Sequence, residues 1–169
     1  ANIDIINGLS AYADLQYRYI NYRINGKSDT YDYNTGDMQQ LSINENYGFF
    51  NPKLGLNWKI NANNRLFASF SVAQKEPTRD NFTDGDPNSL PKSEKLNDYE
   101  LGYNFGNSLI TIGANLYFMD YTNQLVLTGQ LSDTGNPMSV NVPDSYRAGV
   151  ELAFSIQPFK WFDWNINAT

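Results

Sequence analysis

Alternation of apolar and polar residues at every second position is the feature that most constrains the fold of this 169-residue chain. In residues 94–121 it runs through two segments on either side of a short turn at 106–108, which is typical of a β-hairpin. One side of this hairpin is apolar, with Leu101 and Leu116, and the other is polar, with Glu100 and Asn115. The pattern predicts a sheet with two chemically different faces.

The same alternation predicts about seven antiparallel strands, and no segment sustains a helical period. Along the chain, long connections alternate with tight ones. The tight connections are at 61–64, 106–108 and 157–161, and the long ones are at 25–41, 74–95 and 120–144. Short turns at one end of a sheet and long loops at the other are typical of outer-membrane β-barrels. The sequence therefore favours an all-β fold, an antiparallel transmembrane barrel segment with short periplasmic turns and long extracellular loops.

Two details of the long connections follow from the same pattern. The phase of the alternation slips near Ile20, which predicts a bulge or the point where the strand leaves the membrane. Residues 121–135 are expected to continue their strand above the membrane and to turn at Gly129 or Gly135, where glycine permits a tight turn.

Aromatic residues on the apolar side concentrate near both strand ends. Those towards the long connections are Tyr17, Tyr19, Phe50, Phe70, Tyr99, Phe118 and Tyr146; those towards the tight turns are Trp58, Phe105, Phe162 and Trp164. A bilayer with a polar interface on each side selects two such belts. The aliphatic residues between them that we expect to face lipid are Leu54, Leu56, Leu101, Ile112, Ala114, Val150 and Leu152.

The alternative is a soluble antiparallel sandwich, with a second sheet over the apolar face. Charged residues on the polar side weigh against a dry environment there, because burying each of them unpaired would cost several kcal/mol. A water-filled barrel interior leaves these residues solvated. They are Arg18, Lys53, Glu100, Arg147 and Glu151.

Composition excludes several classes of site. The sequence has no His and no Cys, which removes Ser-His-Asp and Cys-His nucleophiles and the usual zinc ligands. With 12 Lys plus Arg against 18 Asp plus Glu, the net charge of −6 offers no footprint for nucleic acid. We therefore expect no enzyme activity, no cofactor, no metal site and no nucleic-acid partner.

Beyond alternation, the chain resembles the C-terminal part of the β-barrel of TonB-dependent outer-membrane receptors, particularly those of the Bacteroidota. The matching segments cover about half the chain, and the pair KEPTRDNFTD and PKSEKLNDYELGY is the most specific. The segments are residues 13–26, 49–58, 66–84, 90–105, 116–129 and 141–152.

This resemblance implies a barrel of about 22 strands in the outer membrane of a Gram-negative bacterium, with an N-terminal plug domain inside it. Such a receptor imports a scarce nutrient, such as a ferric siderophore, haem, cobalamin or a glycan, with energy relayed by TonB. Residues 1–169 are then expected to be a fragment of the barrel domain, without the plug, the TonB-contacting segment and the final strands. The partners implied are the plug, TonB through the absent N-terminal part, outer-membrane lipid and a small nutrient ligand.

The resemblance places ligand capture in the extracellular loops. The candidate residues lie in the 74–95 connection and are Glu76, Arg79, Asp80, Phe82, Asp84 and Asp86. The competing interpretation is a solvated loop that Glu76 and Arg79 pin to its neighbours. A calcium loop at 80–86 is disfavoured, since Phe82 stands where an oxygen ligand is needed.

Further polar and aromatic residues allow both a ligand-binding and a structural interpretation. Tyr31 and Tyr33 would stack on a sugar or flat ligand, or pack their own loop. Gln124, Thr128 and Asn141 would donate to a ligand or to loop hydrogen bonds. On the polar side, Asp98, Glu100, Arg147 and Glu151 are expected to tie the wall to the plug.

Other function classes remain open at this point. A passive porin or usher-like barrel would share the alternation and the belts. An outer-membrane protease or lipase would need catalytic residues outside this chain. A soluble carbohydrate-binding β-sandwich would need a second sheet.

Overall fold

The structure is a computed structural model that describes residues 1–84, 90–132 and 134–169. All strands belong to one antiparallel sheet of eight, in chain order. They are β1 Asn2–Ile6, β2 Leu9–Asp32, β3 Asp37–Lys59, β4 Asn64–Lys75, β5 Glu94–Gly106, β6 Ile110–Leu131, β7 Pro137–Phe159 and β8 Phe162–Ala168. A short helix, α1, spans Arg79–Thr83, and no helix of the described residues is long and apolar enough to cross a membrane. The predicted all-β antiparallel fold is confirmed.

The predicted count of seven strands missed β1. This strand has only five residues, and Ile6 breaks the alternation of period two that Ile3 and Ile5 follow. Its position in the sheet comes from pairing with β2, in which Asn2 lies opposite Tyr12 and Ile3 opposite Ala11.

The pairing register gives the sheet two uniform faces, because residues directly opposite each other in antiparallel strands point to the same side. We call the face of Leu116 the outer face and the face of Asn115 the inner face. One row of the outer face crosses seven strands through Ile3, Ala11, Leu56, Ala68, Leu101, Leu116 and Val150. All seven residues expected to face lipid lie on the outer face, and the large ones are exposed. A soluble sandwich would need a second sheet here, and every described strand belongs to this one.

Two of the three long connections predicted from the sequence are wrong. β2 extends to Asp32 and β3 starts at Asp37, and β6 extends to Leu131 and β7 starts at Pro137, so the chain at 25–41 and 120–144 is mostly paired strand. Gly135, with φ +84°, lies in the β6–β7 turn as expected, whereas Gly129 lies within β6 at a register shift. The 76–93 connection between β4 and β5 is long, as predicted. The end of the sheet opposite the tight turns is therefore uneven, because the hairpins β2–β3 and β6–β7 extend beyond β4 and β5.

The phase slip near Ile20 is not a bulge. The β2–β3 register is continuous from Leu9 opposite Trp58 to Lys27 opposite Gln40. Instead, the apolar residues change faces: Tyr17 and Tyr19 lie on the outer face, whereas Ile20, Tyr22 and Ile24 lie on the inner face. There the outer face becomes polar, with Asn21 Nδ2 donating to Asn46 Oδ1 at 2.8 Å and Arg23 Nε donating to Asn44 Oδ1 at 3.1 Å. Polar groups that carry their own hydrogen bonds suit water, which agrees with a strand that has left the membrane.

Aromatic residues form rows at both ends of the outer face. Phe70, Tyr99, Phe118 and Tyr146 make a continuous row across four strands, with ring centroids 5.0, 6.3 and 5.9 Å apart. At the end with the tight turns, Trp161 stacks on Phe159 at 5.4 Å and meets Phe162 edge-on at 5.9 Å. The ring positions thus agree with the two predicted belts.

Three rings on the inner face cover glycines on the neighbouring strand, a feature that alternation does not indicate. Tyr12 lies over Gly55, Phe67 over Gly102 and Tyr117 over Gly149, so closely that a Cβ atom at any of these glycines would collide with the ring. A ring that covers a glycine shields from solvent the backbone that no side chain of the glycine covers, which stabilises the sheet.

Candidate functional site

The candidate site lies beyond the ends of β4 and β5. β4 ends at Lys75 and β5 begins at Glu94, whereas the hairpins β2–β3 and β6–β7 extend further on either side of them. The described parts of the β4–β5 connection, residues 76–84 and 90–93, lie between these two tall hairpins and contact both of them. We call its first part, residues 76–84, the strap.

The strap packs on the inner face of the β2–β3 hairpin. Arg18 Nη2 lies 2.5 Å from Glu76 Oε2, and Pro77 is fully buried. Phe82 on α1 is 5% exposed and stacks on Tyr22 with the ring centroids 5.4 Å apart. Leu41 and Ile43 complete this apolar cluster, together with Ile24. The cluster explains why the apolar residues of β2 change faces above Tyr19.

Hydrogen bonds also hold the strap. Thr30 Oγ1 donates to the Thr83 backbone carbonyl at 3.1 Å. At the start of α1, the backbone N–H of Thr78 donates to Asn81 Oδ1 at 2.8 Å, which satisfies one of the free N–H groups at the helix end. Burial against the strap raises the pKa of the Tyr22 hydroxyl, an effect that Arg79 opposes.

The strap contacts the second hairpin through Asp84, which is 5% exposed. Asn136 Nδ2 donates to Asp84 Oδ1 at 3.0 Å and Ser132 Oγ donates to it at 3.4 Å. Both donors lie in the β6–β7 turn. Asp84 therefore links a segment packed on one hairpin to the tip of the other.

The chain returning to β5 is held by the same hairpin. Asn141 accepts from the Lys92 backbone N–H at 2.7 Å and donates to the Lys92 carbonyl at 3.0 Å, so its side chain binds the backbone as a strand would. Glu94 Oε2 accepts from the Leu125 N–H at 3.0 Å.

The structure separates the six predicted ligand residues. Glu76, Phe82 and Asp84 make contacts between elements, Arg79 and Asp80 are exposed, and Asp86 lies outside the described residues. The ion pair of Glu76 with Arg18 agrees with the interpretation that Glu76 holds this loop to its neighbours. Arg79 is exposed and gives no such support.

The polar residues proposed as donors in the second hairpin serve its own structure. Gln124 accepts from Ser145 Oγ at 2.9 Å, and Thr128 Oγ1 donates to the Met138 carbonyl at 3.2 Å. Asn141 holds Lys92 as described. Loop hydrogen bonding therefore explains all three side chains.

A cavity of about 750 Å³ opens between the tips of the two hairpins, with Thr83 and Asp84 of the strap in its lining. The volume is in the range of small-molecule pockets, about 300–1,000 Å³. Tyr31 and Tyr33 line it on one side, with ring centroids 5.1 Å apart in an edge-on arrangement. Tyr33 is 79% exposed and Tyr31 42% exposed, so these rings pack on each other and also leave surface open to the cavity.

Fixed negative charge lies beside these rings. The backbone N–H of Asn34 donates to Asp32 and lowers the pKa of that carboxyl. A hydrogen bond from Lys27, at 2.5 Å, lowers the pKa of Asp37. Both carboxylates line the cavity and are ionised at neutral pH.

The net charge of the described residues falls at this end of the sheet. Among them, residues 20–45, 74–84, 90–95, 120–132 and 134–144 hold six basic and ten acidic residues, and the others hold six of each. The strands nearer the tight turns are therefore neutral overall, and the hairpin ends with their connection are acidic. Such a field attracts cations and repels anions.

Comparison with known proteins identifies the architecture. Residues 2–169 match a family model described as TonB dependent receptor-like, beta-barrel. No curated protein matches the sequence.

Three solved structures illustrate the shared fold. The copper transporter OprC is 15% identical with a TM-score of 0.72, over 91% of this chain and 24% of that one. The siderophore receptor PirA from Pseudomonas aeruginosa is 16% identical with a TM-score of 0.63, over 98% and 31%. The FrpB iron transporter from Neisseria meningitidis, as apoprotein, is 16% identical with a TM-score of 0.61, over 91% and 22%.

The chain spans between 22% and 31% of the length of these structures, which are receptors and transporters rather than enzymes. At such low identity they show a common fold and leave the ligand open. The family model adds what the fold alone does not, because it matches nearly every residue. The chain therefore belongs to the family of TonB-dependent receptors and forms part of their β-barrel.

Proposed function

We propose that this chain is part of the wall of an outer-membrane receptor that imports a nutrient into a Gram-negative bacterium. The observation that carries the proposal is the uncovered apolar outer face, with aliphatic residues between two sets of aromatic rings. Residues 1–169 are a fragment of the barrel domain in this proposal, and lipid contacts the outer face. Kinship with receptors of the Bacteroidota stays a prediction.

The inner face faces the aqueous interior and the plug domain in this proposal. It carries charged residues at mid-strand, among them Glu100, Arg147 and Glu151, and the Arg147 guanidinium lies 5.2 Å from the centroid of the Tyr121 ring. Such residues suit contacts with a polar domain inside the barrel, and TonB would act through that domain.

Active import is distinguished from a passive porin by its energy requirement. We expect uptake by the complete receptor to stop when the proton-motive force is collapsed, with the receptor still folded in the outer membrane. The measurement is the accumulation of a radiolabelled nutrient that the cells need for growth and take up through this receptor. Unchanged accumulation without the proton-motive force would favour the porin.

Ligand capture is proposed at the cavity between the hairpin tips. Iron, copper and siderophore are named for the similar structures, and haem, cobalamin and glycans are further candidates. The ring faces of Tyr31 and Tyr33 would stack on the ligand, and the acidic surroundings favour a neutral or cationic ligand over an anionic one.

Tyr33→Ala is expected to weaken ligand binding by about tenfold, because the exposed ring would supply about 1 kcal/mol or more of stacking. Tyr33→Phe keeps the ring and should bind within about twofold of the parent, since the hydroxyl has little to add to a stacking contact. The measurement is calorimetric titration of the complete receptor with the nutrient identified by uptake. Equal affinities for parent and Tyr33→Ala would remove this residue from the capture site.

A further inference from the structure

Among the residues that the structure describes, the tips of the two tall hairpins have no direct pairing to fix their separation. β3 pairs with β4 only as far as Lys53 opposite Ser71, and β5 pairs with β6 only as far as Lys95 opposite Thr122. β3 and β6 are three strand spacings apart, roughly 14 Å, and both continue beyond these points. Pro52, which has no N–H to donate, is the first residue of β3 beyond the last pair with β4.

The strap fills this space, and its two ends are held differently. On the β2–β3 hairpin, the contact is broad: the Arg18–Glu76 ion pair, the Phe82–Tyr22 stack and the Thr30–Thr83 hydrogen bond. On the β6–β7 turn, it is concentrated in one buried carboxylate, that of Asp84.

The burial of Asp84 makes its partners important. A carboxylate that is 5% exposed needs hydrogen-bond donors to replace water, and bonds to a charged group are stronger than those between neutral groups. Two of its donors, Asn136 Nδ2 and Ser132 Oγ, come from the second hairpin. Separating the hairpins would break both bonds at once.

We infer that Asp84 is a positioning residue that joins the two hairpins, through the strap, into one mechanical unit. The hairpin tips then move together, and the cavity between them keeps a fixed width. That this width governs ligand capture rests on the proposed function, whereas the coupling of the hairpins does not.

The test is a distance measurement between the two tips in the complete receptor. Spin labels are placed on cysteines at the exposed positions Asn34 and Gln130, in a receptor without other cysteines, and electron–electron double resonance gives the distribution of distances. Asp84→Ala is compared with the parent and with Asp80→Ala, which removes an exposed carboxylate from α1, four residues before Asp84.

The inference predicts a narrow distribution for the parent and for Asp80→Ala, and one at least about twofold wider for Asp84→Ala. Asn136→Ala should widen it as well, and adding it to Asp84→Ala should widen it little more, because the two changes break the same bond. Asp84→Asn, which keeps one acceptor oxygen, should lie between.

Equal widths for parent and Asp84→Ala, or equal widening by Asp80→Ala, would overturn the inference. If Asp84→Ala does not reach the folded barrel, Asn136→Ala and Asp84→Asn decide in its place, and parental widths for both would overturn it. Because no ligand takes part in this measurement, its failure leaves the proposed function standing, and a failed import experiment leaves the coupling standing.

Discussion

Leu116→Arg is expected to destabilise the complete receptor by about 2–4 kcal/mol, since the outer face places this charge in hydrocarbon near the bilayer midplane. Leu116 lies opposite Leu101 on one side and Val150 on the other, in a row of aliphatic residues. The row lies between the aromatic row of Phe118 and the rings nearer the tight turns. The measurement is reversible urea unfolding in lipid vesicles.

Asn115→Arg is the matched control, one residue away on the inner face. Glu151 lies opposite Asn115, so the new guanidinium would meet a carboxylate and water instead of lipid, and we expect less than about 1 kcal/mol of destabilisation. The sequence alone favours Ile112 for the midplane test, but the register places Ile112 opposite Phe105, nearer the tight turns. Ile112→Arg should therefore cost less than Leu116→Arg. Equal costs for Leu116→Arg and Asn115→Arg would contradict the assignment of faces.

Phe82→Ala is expected to release α1 from the β2–β3 hairpin, with a loss of about 3 kcal/mol of local stability. The Phe82 ring is buried on Tyr22, Leu41 and Ile43, and Phe82 is the one apolar residue of α1. The measurement is hydrogen exchange of the amides in residues 79–84, which should speed up by about 100-fold. Exchange in β3 and β5 near the tight turns should stay unchanged.

Asp80→Ala provides the control for this experiment, because the side chain is exposed on the same helix. It should leave the exchange rates of the strap within about threefold of the parent. If Phe82→Ala gave the same small change, the apolar cluster would not be what holds the strap.

Alternation identified the sheet, its faces and the residues of the outer face because each side of a membrane-level strand meets a single environment. Alternation alone puts Leu101, Leu116 and Val150 on the apolar face, and the register then places them in one row. The resemblance supplied the family. Within the membrane level, the sequence therefore predicts the fold well.

Above that level the same reasoning fails for a physical reason. Both faces of β2 and β3 near Asn21 and Asn46 meet water or the strap, so the alternation is lost while the backbone pairing continues. The sequence therefore predicts loops where the structure has the extended ends of the β2–β3 and β6–β7 hairpins. The strap could be noticed from Phe82, an apolar residue in a polar loop, but its partners Tyr22 and Leu41 lie far away in sequence and are found only in the structure.

Lipid, and not a second layer of protein, is expected to cover the outer face. Nitroxide labels at Ile112, Val150 and the adjacent inner-face position Glu151 of the complete receptor in vesicles test it directly, through their collision rates with oxygen and with a water-soluble nickel chelate. The labels at Ile112 and Val150 should collide often with oxygen and rarely with the chelate, and the label at Glu151 should show the reverse preference or shielding by the plug. Labels at Ile112 and Val150 that are shielded from both reagents would contradict the account, because packed protein would then cover that face.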